Sequence, residues 1–183
     1  SQQQHAVDYA LRYSQQIEQL DLAVSYFDGT SREPLLQLTP TMDALLPYYQ
    51  QIRQWGLELQ YIHDSWIWKL ESIRQHNDQA SYTAAVAGFE YTSVGIWDSV
   101  YDLGWLMEYQ YDSRGMQATT VAQRDLFVGW RLALNDAAGS ELLLGVVQDL
   151  QDSSSRNGVV EASMRLGNNM RLSLDAWLFQ TQD

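Results

Sequence analysis

Hydrophobic and polar residues alternate along most of the chain. In the segment VYDLGWLMEYQYD, residues 100–112, one set of alternate positions is large and apolar, and the other holds carboxylates and a glycine. A β-strand places alternate side chains on opposite faces, so this period predicts strands rather than helices. The alternation predicts about ten strands, at roughly 6–16, 19–28, 53–62, 66–75, 81–92, 98–112, 123–135, 140–151, 158–167 and 171–180.

The predicted strands are long. Most span about nine to thirteen residues, against about five or six in ordinary globular proteins, and a tilted strand needs roughly 9–11 residues to cross a bilayer. Two all-β folds are consistent with strands of this length and alternation. The favoured one is an antiparallel up-and-down transmembrane β-barrel with its apolar face toward lipid. The alternative is a soluble β-barrel with that face as its core, which could bind an apolar ligand.

The polar set of positions favours the transmembrane reading. It is rich in Gly and Ala, which would make room in a crowded lumen for charged side chains of neighbouring strands, and it carries both signs of charge. We therefore expect these charged residues to face a lumen: Arg12, Lys69, Glu71, Glu90, Asp102, Glu108, Asp125, Arg131, Glu161, Arg165 and Asp175. The same set includes Asp8, Asp21, Glu58, Glu141, Asp149 and Arg171.

Aromatic residues occupy the apolar set, and many lie toward predicted strand ends. Lipid-facing barrels carry such aromatic girdles at the level of the headgroups. No charge lies in the middle of a cleanly alternating strand on this set, where Arg or Lys would cost about 2–4 kcal/mol in lipid. We expect the following residues to face lipid: Tyr9, Tyr13, Trp55, Trp66, Trp105, Tyr109, Tyr111 and Trp130.

The connections alternate in length, as the periplasmic turns and external loops of outer-membrane barrels do. The whole chain, 1–183, reads as one barrel domain, and 29–52 reads as a long external loop that holds all three prolines and has room for a short helical turn. Both chain ends then fall on the external side, so we expect a portion of a longer barrel, incomplete at both ends. A miscounted hairpin is the alternative, with the turn at 93–97 the weakest point.

Composition removes several classes of function. The chain of 183 residues has a net charge of -12, which argues against a nucleic-acid partner. It has no Cys, so a disulfide framework and a Cys-ligated metal are excluded. Lys69 is its one lysine, an unusual composition for a soluble β-protein. No apolar run approaches 18 residues, and we expect neither a metal nor another cofactor.

Several segments together resemble a known group of membrane proteins. They include DYALRYS, QWGLELQYIHDSWIWKLESI, GFEYT, DLGWLMEYQYDSRG and DLFVGWRLALND, of which WKLE, GFEYT and RLALND are the most specific. The chain resembles, over nearly its whole length, a family of uncharacterised proteobacterial outer-membrane β-barrel proteins of about twice its size. That resemblance implies a Gram-negative outer-membrane location and a lipid environment, and it implies no substrate or activity.

An enzyme is not expected, and no catalytic residue is assigned. His5, His63 and His76 all fall at predicted strand ends or turns. His63 shares a tight turn with Asp64 and Ser65, but adjacent residues seldom form a catalytic triad, whose members must converge in space. The charged set either selects ions or small polar solutes or pairs into a plug, and we expect most of its members to pair. Its acidic excess predicts a preference for cations. A non-conducting structural barrel is the remaining alternative.

Overall fold

The computed structural model describes residues 7–39, 44–78, 80–120 and 122–180, and it is almost entirely antiparallel β-structure. Ten long strands form one sheet and two short strands form another. The strands are β1 (Tyr9–Ile17), β2 (Leu20–Thr30), β3 (Leu35–Leu38), β4 (Leu45–Tyr48), β5 (Gln51–His63), β6 (Trp66–Asn77), β7 (Ser81–Ser93), β8 (Asp102–Asp112), β9 (Arg124–Ala133), β10 (Glu141–Asp149), β11 (Arg156–Leu166) and β12 (Met170–Gln180).

The large sheet is an up-and-down meander. Its order is β1-β2-β5-β6-β7-β8-β9-β10-β11-β12, so each strand lies beside its predecessor in the chain once the β3-β4 hairpin is set aside. The ten predicted strands and their antiparallel pairing are confirmed. Among the residues that the structure describes, the sheet is open, because β1 pairs only with β2 and β12 only with β11. Every residue of β1 is exposed, and β12 is exposed except at Ala176.

The pairing register divides the sheet into two faces, because residues directly opposite one another on paired strands point to the same side. Leu57 pairs with Ser72 while Glu58 pairs with Glu71, and the same parity is kept across all ten strands. We name the two sides the charged face, which contains Arg12, Glu58, Glu90, Glu108 and Arg131, and the aromatic face, which contains Tyr13, Trp55, Trp66, Trp105 and Trp130.

The connection predicted as a long loop over 29–52 is shorter and more ordered than expected. β2 and β5 extend to Thr30 and Gln51, and β3 pairs with β4 inside the connection. The short helical turn expected there is wrong for the described residues, because four residues on each side pair as strands. Residues 40–43 lie outside the described ranges.

The connection between β6 and β7 is also shorter than predicted. The backbone N–H of Asn77 donates to the carbonyl of Ala80 at 2.9 Å, which carries β6 to Asn77 and leaves only 78–80 between the strands. The doubtful turn at 93–97 does connect two sheet strands. It lies in 94–101, where Gly95 adopts a left-handed φ of 64° before a 3₁₀ turn, Ile96–Asp98.

The connections therefore fall into two groups at opposite ends of the sheet. One end, called here the loop end, carries 31–50, 78–80, 113–123 and 150–155; the other, the turn end, carries 18–19, 64–65, 94–101, 134–140 and 167–169. Helical structure in the described ranges is limited to two 3₁₀ turns, Ile96–Asp98 and Gly115–Gln117. None of the described helical segments has the length and apolar character needed to cross a membrane.

Candidate functional site: the charged face of the sheet

The register brings the predicted charged residues to one side of the sheet. All eleven residues assigned to a lumen lie on the charged face: Arg12, Lys69, Glu71, Glu90, Asp102, Glu108, Asp125, Arg131, Glu161, Arg165 and Asp175. Asp21, Glu58, Asp112, Glu141, Asp149 and Arg171 share that face. Acidic groups outnumber basic ones on it, in line with the net charge of -12.

An ion pair crosses the sheet at its β1 edge. The guanidinium of Arg12 on β1 lies 2.8 Å from the carboxylate of Glu58 on β5, so the bridge spans the whole width of β2. Ala23 of β2 lies beneath it, directly opposite Glu58, and is 6% exposed. A larger side chain at that position would meet the bridge. Both charged side chains are about half exposed, so the pair contributes little to stability.

A second ion pair crosses β8 in the same way. Arg131 Nη1 on β9 lies 2.9 Å from Glu90 Oε1 on β7, and the glutamate side chain is only 17% exposed. Gly104 of β8 lies between them, and a Cβ built there would come 3.2 Å from Glu90 Oε1. The expectation that small residues make room for charged side chains of neighbouring strands is met at this position.

A pair of glycines on the charged face lies beneath an aromatic ring. Gly129 of β9 and Gly145 of β10 lie directly opposite each other, and Phe127 covers both, because a Cβ at either glycine would collide with its ring. Covering paired glycines with an aromatic ring shields backbone that would otherwise be open to water. The charged face thus carries an aromatic ring over paired glycines as well as ion pairs.

Pairing of charges is less complete than the sequence led us to expect. Arg12–Glu58 and Glu90–Arg131 are the ion pairs that join different strands on the charged face of the described sheet. Asp125 accepts hydrogen bonds from the backbone N–H groups of Gln123 and Arg124 instead of pairing with Arg131. Most of the charged set is therefore not paired between strands in the described sheet, and a plug stays a prediction.

Several carboxylates of the charged face lie directly opposite one another on neighbouring strands. Glu58 lies directly opposite Glu71, and Glu161 lies directly opposite Asp175. Like charges in directly opposed positions destabilise a strand pair unless water or a cation intervenes. Glu161 and Asp175 line one hollow with Glu141, Arg131 and Arg171, but neither makes an ion pair with any described residue. That hollow retains an acidic excess.

One cluster at the loop end was not anticipated from the sequence. Asp112 is almost fully buried and bonds Arg114 at 2.6 Å, and the guanidinium stacks 3.7 Å from the ring centre of Tyr82. The pKa of Arg114 is raised, mainly by its hydrogen bond to the Asp112 carboxylate. The signal in the sequence was the motif DSR, in which opposite charges lie two residues apart. Its composition is also that of an ordinary polar turn. This contact folds the start of the 113–123 connection over the charged face.

The aromatic face carries all eight residues assigned to lipid: Tyr9, Tyr13, Trp55, Trp66, Trp105, Tyr109, Tyr111 and Trp130. Neighbouring rings contact one another. Trp66 lies 4.7 Å from Tyr91 and 5.4 Å from Trp68, measured between ring centres, and Trp105 meets Trp130 edge-on at 6.2 Å. These rings form a nearly continuous exposed surface, with Trp55 56% and Trp105 44% exposed.

Burial is distributed unequally between the two faces. Every strand residue that is buried lies on the charged face: Ala23, Gly29, Ile52, Gly104, Asp112, Asp125, Gly129, Gly145 and Val159. Not one described aromatic-face residue of the ten-stranded sheet is buried. This asymmetry is expected when a sheet curls so that its charged face is the crowded, concave side.

The histidines do not assemble a reactive site. His63 ends β5 and lies 3.6 Å from Asp64 in the adjoining turn, His76 lies near the end of β6, and His5 falls outside the described residues. Across the described ranges there is no group of three or more His, Asp or Glu side chains with the spacing of a metal site.

The family of the chain is not identified by its likeness to known proteins. No family model, no curated protein and no solved structure matches it. The outer-membrane family that the sequence resembles therefore remains a prediction, and function rests on the two faces described above.

Proposed function

We propose that the chain forms the wall of a bacterial outer-membrane β-barrel. In this proposal the aromatic face contacts lipid and the charged face lines a lumen that passes ions or small polar solutes. The observation that carries it is the unequal burial of the two faces. The face that carries all of the buried strand residues holds nearly all of the carboxylates, whereas the other face holds Trp55, Trp66, Trp68, Trp105 and Trp130 and has no buried residue in the described sheet.

A soluble barrel would require the opposite arrangement. Its large apolar side chains would fill the concave side, because their burial drives folding in water. Here Trp55, Trp105 and Trp130 are instead among the exposed large side chains of a surface that runs across the sheet. A contiguous apolar surface of that kind marks contact with a partner or a membrane. Its aromatic composition and the strand lengths favour the membrane.

The barrel must also close, because a spanning sheet can leave no unpaired edge in hydrocarbon. The outer edges of β1 and β12 are open in the described sheet. We propose that further strands pair with both edges. The lumen is then wider than ten strands alone would enclose, since barrel diameter grows with strand number.

The charged face gives the passage a preference for cations. Acidic groups exceed basic groups on it, and Glu161, Asp175 and Glu71 have no basic partner among the described residues. Rings of carboxylates select cations by lowering the energy of a positive ion in the pore. A barrel that conducts nothing would contradict this part and leave a structural or surface role.

Cysteine labelling tests which face meets lipid. The chain has no native Cys, so Trp105→Cys and Glu108→Cys each introduce a single thiol, on opposite faces of β8. In a reconstituted bilayer we expect the thiol at 105 to react with a lipid-soluble maleimide and to resist a charged one. The thiol at 108 should show the reverse. A charged reagent that labels 105 and spares 108, or a chain that stays monomeric in plain buffer, would overturn the proposal.

A further inference from the structure

Four arginines stand apart from the other basic residues of the chain. Arg53, Arg74, Arg124 and Arg156, called here the basic row, lie on the aromatic face rather than the charged face. Each is at or near the loop end of its strand: Arg124 and Arg156 are the first residues of β9 and β11, and Arg53 is close to the start of β5. Every other lysine or arginine of the described strands is on the charged face.

The turn end of the sheet has no counterpart to the basic row. Its described connections contain Glu18, Asp64, Asp98 and Asp136 but no lysine or arginine. Asp28 is the only carboxylate that the described strands place on the aromatic face, and it lies at the loop end, 3.4 Å from Arg53. The aromatic face of an acidic chain thus carries a net positive band along a single border.

The guanidinium groups of the basic row are accessible and mostly free of carboxylate partners. All four residues are exposed. Arg74 makes no ion pair with a described residue, Arg156 bonds the amide oxygen of Gln148, and Arg124 lies 5.9 Å from the ring centre of Tyr111. The Arg53–Asp28 contact is long and exposed, so it competes weakly with another anion.

Aromatic rings adjoin the basic row on the side toward mid-sheet. Trp55 lies directly opposite Arg74 and contacts Tyr26 at 4.7 Å between ring centres, and Tyr111 lies directly opposite Arg124. Trp and Tyr settle at the level of lipid headgroups, which places the arginines at the height of the phosphates. Guanidinium groups bind phosphate oxygens through two parallel hydrogen bonds.

We infer that the basic row is a binding surface for phosphate-bearing anionic lipid headgroups, confined to the leaflet that faces the loop end. This inference rests on the proposed function, because it needs the aromatic face in lipid. It predicts that anionic lipid binds the protein in one leaflet and not in the other, which the passage of ions through a lumen would not require. Each arginine near a negatively charged membrane surface contributes about 1 kcal/mol, or about a fivefold preference.

Tryptophan fluorescence in vesicles measures this preference. The full chain is reconstituted with dibrominated phosphatidylglycerol or dibrominated phosphatidylcholine at equal mole fraction, since bromine quenches only tryptophans that touch the lipid. We expect stronger quenching by phosphatidylglycerol in low salt, and the difference should shrink in high salt as the charges are screened. The double variant Arg74→Gln/Arg124→Gln should lose most of the preference and keep its quenching by phosphatidylcholine.

The matched control is Arg165→Gln/Arg171→Gln, which removes the same charge from the charged face and should retain the preference. Equal quenching by the two lipids in the unaltered chain would overturn the inference and leave the membrane proposal intact. An undiminished preference in Arg74→Gln/Arg124→Gln would also overturn it. Absence of quenching by either lipid would overturn both, because the aromatic face would not be in the bilayer.

Discussion

Glu90 and Arg131 sit two strands apart and meet above Gly104. Arg131 Nη1 lies 2.9 Å from Glu90 Oε1 and 3.1 Å from Glu90 Oε2, across a strand that offers no side chain of its own at that point. The contact depends on one residue from each of three consecutive strands. It therefore forms only when all three strands are paired in this register. A slip of β8 by one residue would put Gly104 on the aromatic face.

Filling the space at Gly104 is expected to cost stability. Gly104→Val adds bulk against Glu90 Oε1 and the Arg131 side chain, and overpacking of this kind typically costs about 1–3 kcal/mol. Gly158→Ala is the matched control, because its new Cβ would make only an ordinary contact, 3.4 Å from Leu178 Cβ. Urea unfolding in detergent micelles, followed by tryptophan fluorescence, compares them. Equal stability of the two variants would mean that the bridge does not need the glycine.

The two cross-strand ion pairs should differ in strength. Double-mutant cycles with Glu→Gln and Arg→Gln measure the coupling in each. We expect a coupling within about 0.5–3 kcal/mol for Glu90–Arg131, where the glutamate is mostly shielded, and only about 0.2–1 kcal/mol for the half-exposed Arg12–Glu58. A larger coupling for Arg12–Glu58 would contradict this order and show that the pair is more shielded from water than the open sheet indicates.

Cation preference should depend on the unpaired carboxylates of β11 and β12. Reversal potentials in planar bilayers with a salt gradient give the ratio of cation to anion permeability. We expect a ratio above one that falls in Glu161→Gln/Asp175→Gln, because this change removes two negative charges from one hollow of the charged face.

The control for that measurement is Asp64→Asn/Asp98→Asn, which removes two charges from the turn end. Both positions have positive φ, which asparagine tolerates, so the turns are preserved. The permeability ratio should not change in the control. An anion-selective or silent unaltered chain would contradict the cation preference directly.

The turn between β9 and β10 is expected to weaken in acid. Asp136 accepts hydrogen bonds from the backbone N–H and the hydroxyl of Ser140, both at 2.8 Å, and these bonds lower the pKa of the carboxyl. A carboxyl with a lowered pKa stabilises the folded state above its unfolded pKa of about 3.9, and the contribution disappears as pH falls through the folded value.

Asp136→Ala should therefore be less stable than the unaltered chain at neutral pH, and the difference should narrow below about pH 4. Unfolding in urea at a series of pH values checks this. Asp78→Ala, an exposed carboxylate in the 78–80 connection, should show a smaller effect at neutral pH. A stability difference between Asp136→Ala and the unaltered chain that widened in acid would contradict the expected pH dependence.

Both faces of the sheet could be predicted because β-structure encodes them with a period of two. Trp105 and Glu108 differ in parity, and the pairing of ten strands preserves that difference from β1 to β12. The positions of Gly104 and Gly129 on the charged side were predictable in the same way. Period alone does not say which face is the more crowded, and the burial of small residues on the charged face supplied that.

Contacts between strands could not be predicted to the same degree. The partner of Arg131 depends on the relative stagger of β7, β8 and β9, which no single strand specifies. Leu35–Leu38 and Leu45–Tyr48 were missed because four-residue strands beside prolines do not show enough alternation to be told from a loop. The arginines of the basic row escaped notice because each lies beyond the apolar core of its strand.

The meander described for the ten-stranded sheet has a consequence for the order of folding. Each strand finds its partner within one hairpin, and even β2 and β5 are separated only by the connection 31–50. Local pairing of this kind requires little loop-closure entropy at each step, so hairpins can form independently and join side by side. In the described sheet the outer edges of β1 and β12 are left without such a neighbour. These two strands are therefore where the chain is most open to pairing with the wrong neighbour.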